Sequence, residues 1–244
     1  MGGKPTLAIQ TMGPALFLLD KPLNGCNYSQ MMWLALAAQL SLPVPANLRV
    51  PDVRAVFSTD DFPAYLQAAG VSRTVYTRTT VQPDGTIQGC VAEVSSGDTK
   101  LDAYTCAIIV RRARFLPAKW TDGTPVYGVI RVPVSWRIGN GPPSEEEALR
   151  STVPDLELSV NRLPKHARKI AAVSLEVAAD ENGRVVSCGE YPPAADSPGR
   201  HFPELIPIAC EQAMKTLSVH PPFDPSGKPL RSVQTASVQF KLDH

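Results

Sequence analysis

The chain is poor in the residues and motifs that carry catalysis. Its four histidines, His166, His201, His220 and His244, form no HExxH and no close pair, and its five cysteines make no CxxC or Cys/His cluster with zinc spacing. There is no GxSxG elbow and no glycine-rich phosphate loop. Asp60 and Asp61 stand where a helix needs a cap, so they read as a cap rather than as an acid/base pair. These absences argue against an enzyme and ask for no metal or cofactor. Excess charge of one sign is missing too. The 24 Lys and Arg against 23 Asp and Glu leave +1, which offers no field to nucleic acid. Long apolar runs are also lacking. Residues 31–46, MMWLALAAQLSLPVPA, fall short of the roughly 20 residues of a membrane span. They read as a signal-peptide-like segment, with a buried amphipathic segment of the first domain as the alternative, and residues 1–30 read as a doubtful leader.

Proline is plentiful, at 24 residues, and clusters at element boundaries such as LPVPA, GPP, YPP and HPP. What lies between those boundaries occurs twice. Val75, Thr77, Thr79, Gly85 and Cys90 match Val173, Leu175, Val177, Gly183 and Cys188 at an offset of 98. Cys106, Ile109, Ala113, Gly123 and Trp136 match Cys210, Ala213, Leu217, Gly227 and Phe240 at an offset of 104. The step between the offsets corresponds to a loop insertion, PPAADSPGR, between the second pair of cysteines. A duplicated unit of strand, turn, strand, helix and strand is therefore expected.

Within the first unit, residues 57–70 predict a short helix with Pro63 in its first turn and Gly70 as C-cap. Residues 75–81 and 87–94 predict a hairpin about the PDG turn. Residues 101–114 predict a helix whose apolar face holds Cys106, Ile109, Val110 and Ala113, and residues 130–136 an alternating strand. In the second unit residues 164–169 replace the short helix. Strands at 173–179 and 185–189, a helix at 204–217 and a last strand at 233–242 follow. Four of the cysteines fall at equivalent places in the two units. Disulfides Cys90 with Cys106 and Cys188 with Cys210 are expected, in an oxidising compartment, with four buried reduced thiols as the alternative. Cys26 is left over.

The run FPAYLQAAG, a strand, PDGTIQGC, a helix ending ARFLPA, DGTPV and VPVSWRI resembles the C-terminal domain of the TonB energy-transducer family over residues 57–138. Residues 156–244 resemble a diverged second copy, and residues 139–155 are the linker. The resemblance implies an α+β fold of two tandem modules, each a three-stranded antiparallel sheet with helices packed on one face. It also implies a periplasmic, exported module that takes up the TonB box of an outer-membrane transporter, or another envelope protein, as an added strand. Only about ten residues separate the apolar run from the first module, and a chain spans at most about 3.5 Å per residue. Peptide binding is therefore expected without force transmission across a periplasm.

The strand expected to receive the partner is the last of each module. Ile130, Arg131, Val132, Val134, Ser135 and Arg137 of the first and Gln239 and Lys241 of the second would form or flank the edge. Pro133 lacks an amide hydrogen, which places its strand at a sheet edge or at a bulge. Three other outcomes are open: edges protected by Pro133 and charge, last strands that pair with each other, and a self-associating envelope protein with no TonB-box ligand.

Overall fold

The structure, a computed structural model, describes residues 56–138, 153–165, 167, 169–191 and 201–243. The readings for Cys26, for residues 1–30 and 31–46, for most of the 139–155 linker, for the 192–200 insertion and for His166 and His244 lie outside these residues.

Alternating apolar residues generate long strands here, and PDG-type turns join them. The first half runs α1 (Ala64–Ala69), β1 (Arg73–Val81), β2 (Ile87–Val94), α2 (Thr99–Arg112), β3 (Ala118–Lys119) and β4 (Pro125–Trp136). The second runs β5 (Leu156–Val160), β6 (Ile170–Ala179), β7 (Val185–Glu190), α3 (Ile206–Thr216) and β8 (Ser232–Leu242). Gly70 ends α1 in the left-handed conformation at φ 66°, the expected C-cap. Helix α2 starts where the Asp98 carboxylate accepts from the amides of Lys100 and Leu101. Its buried face carries Leu101, Thr105, Cys106, Ile108 and Ile109. Val110, expected on that face, is about half exposed because Ile108 takes the inward position.

All eight strands belong to one mixed sheet in the order β2-β1-β4-β8-β6-β7, with β3 beside β4 and β5 beside β8. The expectation of two separate three-stranded sheets is corrected by one contact. Tyr127, Gly128 and Val129 of β4 lie parallel to Ser232, Val233 and Gln234 of β8. Bare strand edges attract strands, and each last strand has covered the other's at its start.

The pairing pattern of the second half follows that of the first. Arg73 opposite Trp136 corresponds to Ala171 opposite Phe240, and Thr79 opposite Cys90 to Val177 opposite Cys188. Register shifts fall between Thr80 and Val81 and between Ala178 and Ala179, again 98 apart.

Parallel pairing also decides where the helices go. Ile130, Val134 and Trp136 of β4 point to the α2 core, and Gly128, of the same parity, faces Val233. Val233 and its cross-strand partner Ala178 accordingly belong to the first core. Ala236, Val238 and Phe240, of opposite parity, pack in the second core with Ala209, Cys210 and Ala213 of α3. Helices α2 and α3 thus cover opposite faces of one sheet.

Each helix is also stapled to its sheet. Cys90 of β2 bonds to Cys106 of α2, and Cys188 of β7 to Cys210 of α3, at sequence separations of 16 and 22. Loops of that size give each bridge about 3 kcal/mol in the chain-entropy model.

Two substitutions test this packing. Thr79 is fully buried and its Oγ1 has no hydrogen-bond partner, while Val177 holds the corresponding point in the second half. Thr79→Val should raise stability by about 1 kcal/mol, read as a higher thermal midpoint; a lower midpoint would mean the hydroxyl contributes. Gly183 has φ 78°, and a Cβ there would meet the Val219 carbonyl oxygen at 2.0 Å, whereas Gly227, at φ 83°, has open space. Gly227→Ala should cost about 1 kcal/mol for the left-handed backbone alone, and Gly183→Ala at least about 2 kcal/mol more. Equal costs in denaturant unfolding would contradict the close approach.

Candidate functional site

The two expected edges have different fates. In β8, Gln239 lies between Ala172 of β6 and Glu157 of β5, and Lys241 between Ile170 and Ser159. An exposed edge at Gln239 and Lys241 is therefore not found. The added strand β5, a short Leu-Glu-Leu-Ser-Val alternation, fills it. Gln239 is buried, and the Lys241 ammonium sits 2.7 Å from Glu157.

β4 is covered only at its start. On the side away from β1 it meets β3 at Pro125 and Val126 and β8 at residues 127–129. The Arg131 amide then donates to Thr235 Oγ1 across the opening gap. Beyond it no strand among the described residues pairs with that side of β4. Backbone groups alternate along a strand, and the Val132 carbonyl, which accepts from Thr77 Oγ1, points toward β1. Residues 131, 133 and 135 therefore turn their backbone outward. Pro133 offers a carbonyl alone there, and Ser135 both an amide and a carbonyl.

Asp155 holds the fork open. Its Oδ2 accepts from Arg131 Nη1 and from the Ser237 amide at 2.8 Å, and its own amide donates to the Ser237 carbonyl at 2.8 Å. The Arg131 guanidinium also reaches Glu93, Nε to Oε2, at 2.8 Å. Arg131 is thus an internal tie rather than a free cation flanking a peptide. Ile130 and Val134 are buried in the first core, and Val132 packs against it.

A groove of about 560 Å³ runs along the open part of β4, lined by residues 134–138 on one side and by Phe57, Ser58, Thr59, Phe62 and Gln67 on the other. Its floor is aromatic. Trp136, 4% exposed, has Phe57 edge-on at 5.6 Å and Tyr104 at 5.8 Å, and its Nε1 donates to Thr105 Oγ1 at 2.9 Å. Held by these rings and by its hydrogen bond, the indole gives the groove a fixed shape.

One ion pair braces the far wall. Arg112 on the last turn of α2 donates to both Asp61 oxygens, at 2.5 and 2.9 Å, and to the Val56 carbonyl at 3.1 Å. Asp61 also accepts the Ser58 amide at 2.8 Å, closing a capping box. Arg112 is therefore spent on holding residues 56–61. Hydrogen bonds from Arg112, then from Ser58, hold the Asp61 carboxyl well below the usual carboxylate range.

Another titratable residue escaped the sequence reading. Glu176 occupies, in β6, the position that Arg78 holds in β1; it is buried, and its cross-strand partners are Thr235 and Gly189. Burial pushes its carboxyl up to about 7. Only the hydrophobic alternation around it, broken at one charged residue, marks it in the sequence.

The Asp61 brace has a definite pH signature. Its carboxyl titrates lower folded than unfolded, so its contribution is complete above about pH 4 and lost as pH falls through the depressed value. Asp61→Asn should cost about 2 kcal/mol at pH 7 and much less at pH 2, in denaturant unfolding at each pH. An equal loss at both would show that the carboxylate does not carry the brace.

Residues 59–138 match the family described as Gram-negative bacterial TonB protein C-terminal. The match ends with the residues that line the groove, and the second half lies beyond it. No curated protein and no solved structure is a significant match to the chain.

Proposed function

We propose, on the premise that residues 59–138 form a TonB-type C-terminal domain, that this is an envelope protein whose open β4 edge binds an extended partner segment by strand addition. The observation that carries this reading is β5. Leu156, Leu158 and Val160 lie parallel to Val238, Phe240 and Leu242 of β8. At the offset of 104, these β8 residues correspond to Val134, Trp136 and Ile138, which line the groove. The second half thus displays, inside one chain, the kind of pairing that the first half leaves open. The matched registers also support a tandem duplication in which residues 156–244 are the diverged copy.

In this reading the partner runs parallel to β4. It takes its register from the Ser135 amide and carbonyl and places alternate side chains over Trp136, Phe57 and Phe62. Pro133 limits the addition on one side, because it has no amide to offer. The partner class is the TonB box of an outer-membrane transporter or a similar segment of another envelope protein. Binding of this kind needs neither catalysis nor cofactor. Two disulfides fit an exported, periplasmic setting, and no helix among the described residues is long and apolar enough to cross a membrane.

Titrating the isotope-labelled chain with synthetic TonB-box peptides should shift the amide signals of residues 132–138. Ser135→Pro removes an outward-facing donor and leaves the β1 ladder intact, and it should weaken binding at least tenfold, about 1.4 kcal/mol. No response at millimolar peptide would remove the strand-addition reading. Concentration-dependent association without peptide would instead favour a self-associating structural role.

A further inference from the structure

β5 is a lightly held strand on a core that other strands build. β6, β8, β1 and β4 each bury several residues, whereas β5, like the edge strand β2, buries none. Among the described residues it pairs with β8 alone, through a five-residue parallel ladder. Its aliphatic residues rest on the second core from one side, as partly buried neighbours. The ion pair from Glu157 to Lys241 joins two side chains that are 52% and 43% exposed, a geometry that contributes little. Its firm attachments are terminal. Asp155 fixes the start through Ser237 and Arg131, and the Asp243 amide donates to the Val160 carbonyl at the end.

The sequence of β5, Leu-Glu-Leu-Ser-Val, is that of an incoming strand, with aliphatic residues toward the core and polar ones away from it. We propose that β5 is a tethered ligand: the β8 edge at residues 238–242 is a second receiving edge, kept filled by the chain's own strand and open to a partner segment of the same alternating aliphatic and polar pattern when β5 leaves. This rests on the strand-addition reading of β4 and extends it to the half of the chain outside the family match.

The tether sets the terms of exchange. Residues 161–169 join β5 directly to β6, so β5 stands near its seat at an effective concentration on the order of millimolar. A free segment of similar strength competes only at comparable concentration. A partner already bound at β4 meets this condition, because its second segment is then local as well. The wild-type chain is therefore univalent toward a single dilute segment, and it becomes divalent toward a partner that carries two.

The probe is a synthetic peptide of residues 155–161, DLELSVN, titrated into the labelled full chain. In the wild type, residues 238–242 should not respond to submillimolar peptide. In a Leu156→Asp/Leu158→Asp variant they should respond with an apparent affinity at least tenfold higher. A folded variant whose residues 238–242 stay silent at millimolar peptide overturns the proposal. Signals of residues 132–138 in the same titrations report on the β4 reading separately, so failure of one is not mistaken for failure of the other. Hydrogen exchange of the unmodified chain is the second arm and does not depend on the variant folding. Amides of β8 that face β5 should exchange by a local opening that leaves the amides facing β6 protected. Exchange of both sets only together, by global unfolding, overturns the proposal as well.

Discussion

Three residues of β4 lying parallel to three of β8 decide the rest of this architecture. The contact between residues 127–129 and 232–234 is short, yet it turns two similar halves into one sheet. Facing residues in a parallel pair share a side, so the join sets the parity of one half against that of the other. Trp136 and Phe240, which correspond at the offset of 104, consequently look to opposite faces, and so do the two helices. Val233 and Ala178 are recruited across the boundary into the first core, which makes the halves mechanically one body. A join of antiparallel strands would have left no such flip.

The same join creates the fork from which the candidate site follows. Twisted strands that start side by side diverge, and the gap must be satisfied. Asp155 and Arg131 satisfy it with charge and hydrogen bonds, and β5 satisfies the β8 side with a strand. The β4 side is left with a groove, an aromatic floor and a backbone in which Pro133 has deleted one donor. An edge of this kind is selective. It discourages indiscriminate pairing on one side of Pro133 and keeps the Ser135 groups beyond it. The Asp61–Arg112 pair matters because the outer wall, residues 56–61, has only a short helical turn to hold it otherwise.

Much of this was legible in order. The two hairpins and the two cysteine pairs were readable because those relations are local in sequence. The helix at residues 101–114 was readable from its periodicity. Its inward face was rotated from expectation, since Ile108 rather than Val110 meets the sheet. β5 was not legible. Five alternating residues directly after the Gly-, Pro- and acid-rich segment at 139–155 are too few to announce a strand, and they become one because β8 offers them an edge.

The composition and alternation of this chain were enough to determine the α+β class, the turns, the two sulfur staples and the lack of catalytic motifs, since each depends on residues close in sequence. Tertiary structure alone decided which edge stays open. Strands β4 and β8 carry similar alternation and similar polar residues, and nothing in either says that one will be filled by β5 and the other left beside a groove. That asymmetry arises where two halves compete for the same backbone hydrogen bonds, and such competition is resolved only when the chain is folded.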